Sequence, residues 1–239
     1  MGNLSLFDAH VHLSWFENPE QAAAQAQKLG IAALCCTVTP KEYRDASALL
    51  SKCPNVRVAA GIHPWLVDDS TDAADVADAI SGSPWVGEVG LDFGAKHAHS
   101  KKEQLRVFEE ACEACSEGGK TLSIHSVRSA GTVLDVLEKT GTIDNCRCVF
   151  HWFSGTSKEL ARAKEAGCWF SVGERMLGTR RGREYARQIP TSRLLLETDL
   201  PKARKDGTAA TDIAKSLTRA VEILASIKEG WEPSQARLF

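Results

Sequence analysis

Short runs of apolar residues alternate with amphipathic stretches along the chain, and this alternation repeats eight times at about 30 residues per unit. The apolar runs have the length of strands, and residues 31–38 are apolar on both faces, as in a parallel sheet covered by helices. Asn18-Pro19 and Thr39-Pro40 predict the starts of two intervening helices. We predict strands at residues 4–13, 31–38, 56–63, 85–92, 121–126, 148–153, 168–172 and 193–199.

Eight βα units of this length predict an α/β fold, the (βα)8 barrel of the TIM type. The sequence contains no low-complexity linker and no step in composition, so we expect one domain over residues 1–239. An open, doubly wound sheet has nearly the same repeat and is the alternative.

Charge and cysteine content limit the functions that are open to the chain. Lys and Arg total 29 against 31 Asp and Glu, a formal net charge of −2, so any affinity for phosphate must be local. No run of about 18 apolar residues occurs, and we expect no membrane-spanning helix. Eight cysteines in apolar or helical stretches favour a reduced, cytoplasmic protein, which we expect to be a monomer. Cys112-x-x-Cys115 has no second pair at zinc spacing and is interpreted as mid-helix packing.

Polar residues lie at or near the carboxyl ends of the predicted strands, where a barrel of this kind builds its active site. They include five of the seven histidines. The residues are His10, His12, His63, Glu88, His125, His151 and Asp199.

These residues form two predicted metal sites. His10 and His12 are two residues apart on one strand and share a face, which suits two ligands of one ion. Glu88 shares an inward parity with Asp92 and is predicted to bridge two ions, while Asp199 lies on the strand that closes the barrel against the first. We predict His10, His12, Glu88 and Asp199 as ligands of one ion, and Glu88, His125 and His151 as ligands of the other.

Two divalent ions would hold a bridging water and lower its pKa toward about 7. Asp199 would take the water proton, and the site would carry a charge of about +1, which favours an anionic phosphate over a neutral amide. The predicted catalytic residues are Asp199, Glu88 and His63, the last as a contact to substrate. Four imidazoles and two carboxylates favour zinc, manganese, cobalt or iron over an all-oxygen magnesium site, although the identity among zinc, manganese and magnesium stays open.

The motifs also resemble those of the TatD family of metal-dependent hydrolases, within the amidohydrolase-like barrels. The resemblance runs from about residue 7 to about residue 201, and its motifs are Phe-Asp-Ala-His-Val-His-Leu, Gly-Ile-His-Pro, Gly-Glu-Val-Gly-Leu-Asp, Ile-His-Ser, Phe-His-Trp-Phe-Ser-Gly and Leu-Leu-Glu-Thr-Asp-Leu-Pro. It implies a cytoplasmic deoxyribonuclease, usually a 3′-exonuclease or a metal-dependent phosphoesterase, which acts on DNA or another phosphodiester. Val127, Lys202 and Ser234 stand where the family usually has Arg, Tyr and Asn, and these departures leave the natural substrate open.

Several other residues have two interpretations. The basic residues that follow strands seven and eight either grip phosphates or form a solvated helix face; they are Arg175, Arg180, Arg181, Arg183, Arg187, Lys202, Arg204 and Lys205. Trp65 and Trp152 either stack a base or belong to the core, and we favour the core; His97 and His99 are interpreted as surface residues. The alternative functions are hydrolysis of an amide, ester or lactone, and a non-catalytic barrel that serves as an interaction module.

Overall fold

The structure is a computed structural model that describes residues 6–233 and 238. Within these residues all eight predicted strands are present: β1 (Leu6–Val11), β2 (Ile31–Cys36), β3 (Val56–Ala59), β4 (Trp85–Asp92), β5 (Thr121–Val127), β6 (Arg147–His151), β7 (Trp169–Val172) and β8 (Leu194–Leu196). The α-helices of the described chain are α1 (Pro19–Lys28), α2 (Pro40–Leu49), α3 (Ala73–Ser81), α4 (Lys101–Glu113), α5 (Ala130–Lys139), α6 (Thr142–Asn145), α7 (Ser157–Glu165), α8 (Glu174–Leu177), α9 (Arg180–Gln188) and α10 (Ala210–Ile227). Ser234 and the first two residues of the first predicted strand lie outside the described residues.

The chain forms two compact units, each built from segments that are far apart in the sequence. The first unit takes the described residues up to Cys35, Asp45–Val58 and those from Phe170 onward, and the second takes Cys36–Arg44 and Ala59–Trp169. The single domain over residues 1–239 therefore stays a prediction.

In the first unit, β1 pairs in parallel with β2, and β7 pairs in parallel with β8. Every residue of β2 and β8 is buried, as expected for strands that are covered on both faces. Helix α10 packs against α1, α8 and α9 and buries Ile213, Leu217 and Leu224. This face keeps the 3.6-residue period of an amphipathic helix.

In the second unit, β4 pairs in parallel with β5, and β5 pairs in parallel with β6. Strand β4 is buried from Val86 to Asp92, and α4 packs against it and against α3 and α5. The register pairs Gly90 of β4 with His125 of β5. The side chain of His125 is therefore level with the part of β4 between Glu88 and Asp92.

Five strands end before the predicted residue: β1, β2, β3, β6 and β8. Among the site residues this moves His12 to the residue just after β1, and it moves His63 and Asp199 further from their strands. Strand β3 stops at Ala59, although Ala60 still forms a bridge to Val86, and His63 follows as the cap of a short 3-10 turn. Strand β8 stops at Leu196, and Asp199 has a positive φ of 54°. Both residues therefore lie on βα loops, because the turn at Pro64 and the left-handed backbone of Asp199 end the extended conformation.

All eight cysteines are free thiols, and those of the Cys-x-x-Cys pair are buried. Cys112 lies in α4, whereas Cys115 lies two residues beyond its end, so the expectation of a pair within the helix is wrong for Cys115. Burial raises the pKa of Cys112 well above its usual value and that of Cys115 to about 12. Both sulfurs therefore stay protonated at neutral pH, as packing residues do.

Among the described helices, none is both long enough and apolar enough to cross a bilayer.

Gly90 is required by a close approach between strands. Its φ is +139°, and a Cβ at this position would collide with the backbone carbonyl of His125. We expect Gly90→Ala to lower the free energy of unfolding by at least about 1–3 kcal/mol, measured by urea denaturation. Gly82→Ala is the control, since the nearest atom to its added Cβ is 3.8 Å away. Equal stability of the two variants would contradict this account.

The buried thiols give a second test. At pH 8 we expect a thiol-specific disulfide reagent to leave Cys112 and Cys115 unmodified in the native chain, because thiols with raised pKa values in a packed core offer little thiolate. In denaturant both should react at once. Mass spectrometry of the labelled peptides identifies the modified residues, and rapid native labelling of either residue would refute the prediction.

Candidate metal centre

The second unit brings three polar side chains to one carboxylate. Glu88 lies in the middle of β4 and is only 2% exposed. Its backbone N–H donates to the Thr37 carbonyl at 2.8 Å, which fixes the strand at this point. Its Oε1 lies 2.8 Å from His125 Nδ1, 2.9 Å from His151 Nε2 and 3.3 Å from His63 Nε2. Three buried imidazoles therefore surround a single carboxylate oxygen.

Glu88, His125 and His151 lie close to the spacing that one ion requires, although the two contacts of Glu88, at 2.8 and 2.9 Å, are somewhat shorter. The third distance, between His125 Nδ1 and His151 Nε2, is 3.4 Å. Ligand atoms at about 2.0–2.1 Å from a tetrahedral zinc ion lie roughly 3.3 Å from each other. One carboxylate oxygen and two imidazole nitrogens also match the donor preference of zinc, manganese or iron. The donor set of the second unit thus fits a divalent ion.

Asp92 orients His125 from the side opposite Glu88. Its Oδ2 lies 3.2 Å from His125 Nε2 and accepts a hydrogen bond from that nitrogen, so Nδ1, which faces Glu88, would become the ligand atom once an ion takes the place of its proton. Burial acts to raise the pKa of Asp92, but hydrogen bonds from His125, Trp65 and the Gly94 N–H outweigh burial and hold the pKa well below its usual value. Asp92 is therefore ionised, which gives a carboxylate–histidine pair typical of metal sites.

The pKa of His125 reflects the same contacts. Burial acts to lower it, but hydrogen bonds with Asp92 and Glu88 raise it above the usual value. Glu88 and Asp92 thus contact the same ring, which agrees with the inward parity that the sequence predicts for them.

His63 differs from the other two imidazoles. Its Nδ1 accepts a hydrogen bond from the Trp65 backbone N–H at 3.1 Å, so the proton of the neutral ring resides on Nε2. An Nε2–H group donates, and it points to Glu88 at 3.3 Å. Although His63 lies within ligand distance of Glu88 and His125, its proton makes it a hydrogen-bond donor rather than a metal ligand.

The first unit brings together His10, His12 and Asp199. Asp199 Oδ1 lies 3.6 Å from His12 Nε2 and 4.0 Å from His10 Nε2, and the two rings meet edge to face at 5.1 Å. The Asp199 N–H donates to the His10 carbonyl, and the His12 N–H donates to the Leu200 carbonyl. The end of β1 and the loop after β8 are therefore held side by side.

A buried carboxylate below these residues completes the connection. Asp8 accepts hydrogen bonds from the backbone N–H and the hydroxyl of Thr198, at 3.0 and 2.6 Å, and from the His10 N–H at 3.2 Å. Burial raises the pKa of Asp8 to about 7, although these hydrogen bonds oppose the rise. Asp8 precedes His10 by two residues on β1, but the sequence gives no signal for its bond to Thr198.

The predicted bridge from Glu88 to the ion of His10, His12 and Asp199 joins residues of both units, and it stays a prediction.

Many of the basic residues that follow β7 and β8 already have partners within the first unit. Arg175 contacts Asp199 Oδ2 at 3.4 Å, Arg183 donates to the Leu177 carbonyl, and Arg204 lies over the Trp15 ring at 4.8 Å. These contacts orient the cations but do not decide between phosphate binding and a solvated face.

The structure corrects two predictions about which side chains are exposed. Trp65 is 56% exposed, so its assignment to the core is wrong, and its ring stacks on His97 at 4.8 Å. His97 is half-buried rather than a plain surface residue, whereas His99 is exposed as expected. A Gly-His-Pro turn places the next side chain outside the strand, and the sequence does not show which neighbours will cover it.

Two of the family departures lie among the described residues. Val127 is the last residue of β5, and the Lys202 N–H donates to Asp206. Ser234 lies outside the described residues.

Comparison with known proteins decides the family. The family model described as TatD related DNase matches residues 7–235. The chain belongs to this family. The match confirms the predicted family and the predicted class of enzyme, a TatD-like hydrolase.

Two curated relatives are each described as a 3′-5′ ssDNA/RNA exonuclease TatD. The one from Musicola paradisiaca is 32% identical over 82% of this chain and 78% of its own length. The one from Dickeya dadantii is 29% identical over the same shares.

A crystal structure of YjjV, a TatD homologue from Escherichia coli K12, matches 98% of this chain and 94% of its own with a TM-score of 0.81 at 21% identity. This likeness shows the fold, and it confirms the α/β class and the (βα)8 barrel type.

The contact between Asp92 and His125 predicts how tightly a metal binds. We expect Asp92→Asn to weaken Zn²⁺ or Mn²⁺ binding about 10- to 100-fold, because the neutral amide lacks the charge that favours the Nε2 proton of His125 and presents an NH2 group where one carboxylate oxygen now accepts. Equilibrium dialysis after chelator treatment measures the affinity. The control is Asp78→Asn, at an exposed position of α3. Unchanged affinity in Asp92→Asn would exclude this role.

Proposed function

We propose that this chain is a divalent-metal-dependent phosphodiesterase that removes nucleotides from the 3′ end of single-stranded DNA or RNA. The proposal rests on membership of the TatD-related DNase family and on relatives described as 3′-5′ ssDNA/RNA exonucleases. The observation that carries it is the convergence of His125 Nδ1 and His151 Nε2 on the buried Glu88 carboxylate within 2.9 Å.

Two divalent ions, zinc, manganese or magnesium, belong to this proposal. Glu88, His125 and His151 would hold one, and His10, His12, Glu88 and Asp199 would hold the other. When bound, such ions lower the pKa of a coordinated water and stabilise charge on the phosphate. This is the chemistry that hydrolysis of a phosphodiester needs at neutral pH.

The chain's own residues would divide the remaining work. His63 directs an N–H group into the site and would donate a hydrogen bond to a phosphate oxygen of the substrate. Asp199 is 23% exposed and would accept a proton from the attacking water.

Cytoplasmic location and the monomeric state stay predictions from the sequence.

The direct test is degradation of labelled single-stranded DNA. We expect the purified protein with Mn²⁺ or Mg²⁺ to shorten a 5′-labelled oligonucleotide stepwise from its 3′ end, and chelation to stop the reaction. The double variant Glu88→Ala with His151→Ala should lose at least about 1,000-fold in rate, because it lacks the proposed ligands. Glu113→Gln, an exposed substitution at the end of α4, should match the wild type.

The same preparation separates the alternatives. Intact DNA together with cleavage of an amide, ester or lactone would replace the proposal with an amidohydrolase. Intact DNA together with no bound metal by elemental analysis would indicate a non-catalytic barrel.

A further inference from the structure

An exposed tryptophan stands beside the candidate metal centre of the second unit. Trp65 follows the His63-Pro64 turn and is 56% exposed. Its ring centroid lies 4.6 Å from that of His63 and 6.1 Å from that of His125. Leaving a large aromatic side chain in water forfeits part of the free energy that its burial would supply. A fixed, exposed ring next to a site is typical of a surface that binds a ligand.

The ring is held in one orientation by a buried carboxylate. Trp65 Nε1 donates to Asp92 Oδ2 at 2.6 Å, and the same oxygen contacts His125 Nε2 at 3.2 Å. Gln104, which is buried, accepts from the Asp92 N–H and donates to the His97 carbonyl. Trp65 and the turn at His97 are thus anchored to one network before any ligand arrives.

His97 lines up with Trp65. The two rings are nearly parallel, at 11°, with centroids 4.8 Å apart. We name this pair of rings, Trp65 and His97, the stacking platform. It is flat, preorganised and aromatic, and such a surface favours another flat ring over an alkyl or peptide group.

We propose that the stacking platform binds a nucleobase of the single-stranded substrate, next to the phosphodiester that is cleaved. This proposal rests on the proposed function and adds a contact that selects nucleic acid ends over other phosphate diesters. Base stacking on an aromatic side chain tolerates all four bases, because every base has a π face. The platform therefore contributes affinity without sequence preference.

The test compares two oligonucleotides that differ only in their bases. One is an unmodified single strand, and the other carries abasic residues at its last three 3′ positions. We expect the wild type to show a kcat/KM for the unmodified strand about 5- to 150-fold above that for the abasic strand. In Trp65→Ala this ratio should fall below about 2, and in His97→Ala it should fall part of the way.

Two variants separate stacking from a structural role of Trp65. Trp65→Phe keeps a ring but loses the N–H group that bonds Asp92, so it should keep most of the ratio even where the rate on both strands drops. Leu66→Ala removes the neighbouring side chain, which is 51% exposed, and should leave both rates unchanged. Circular dichroism checks that each variant is folded. If Trp65→Ala lowered both rates equally and kept the ratio, the platform would only be positioning His125 and the proposal would be overturned.

A binding measurement keeps this test independent of catalysis. Fluorescence anisotropy with the two labelled strands in chelator gives a ratio of Kd values that needs no cleavage. A wild-type preference for the unmodified strand that disappears in Trp65→Ala supports the platform even if no strand is cut. Equal Kd values in the wild type overturn it, whereas absence of cleavage alone would count against the proposed function.

Discussion

A carboxylate removed from water must be compensated by cations or by hydrogen-bond donors, and Glu88 illustrates how much structure this requirement organises. An isolated charge in a protein interior costs several kcal/mol even after the surroundings relax. Strand β4 carries Glu88 at full burial, so the neighbouring strands must supply partners at its level, and His125 and His151 do so from β5 and β6. Asp92, four residues further along β4, in turn accepts a hydrogen bond from His125 and compensates the charge on its ring. The polar interior of the second unit follows from these successive pairings of opposite charges and hydrogen-bond partners.

Much of this arrangement could be predicted from the sequence, because it depends on local periodicity. All eight strands follow from apolar runs of the right length, and the shared face of Glu88 and Asp92 follows from a period of two along β4. The choice of metal-ligating candidates on β4, β5 and β6 needed only the rule that parallel strands present their carboxyl ends at one edge.

Features that depend on atoms far apart in the sequence leave no local pattern from which to predict them. The apolar pattern extends β3 and β8 too far, because the turn at Pro64 and the left-handed backbone at Asp199 are decided by tertiary contacts. The exposed position of Trp65 depends on two residues some 30 positions away in the sequence. Asp92 accepts a hydrogen bond from the Nε1 edge of its ring, and His97 stacks on one face. The sequence also does not show that the His63 proton lies on Nε2, because this follows from one backbone hydrogen bond to Nδ1.

The bond between Asp8 and Thr198 has a consequence for how the chain is made. The two residues are 190 positions apart, so on the ribosome β1 emerges long before its partner is synthesised. Until then Asp8 lacks both donors of Thr198 and has only the His10 N–H, so burial of its carboxylate is disfavoured. Strand β1 therefore gains its full set of partners late, and the contacts of His10 and His12 with Asp199 form only after both ends of this long segment have left the ribosome.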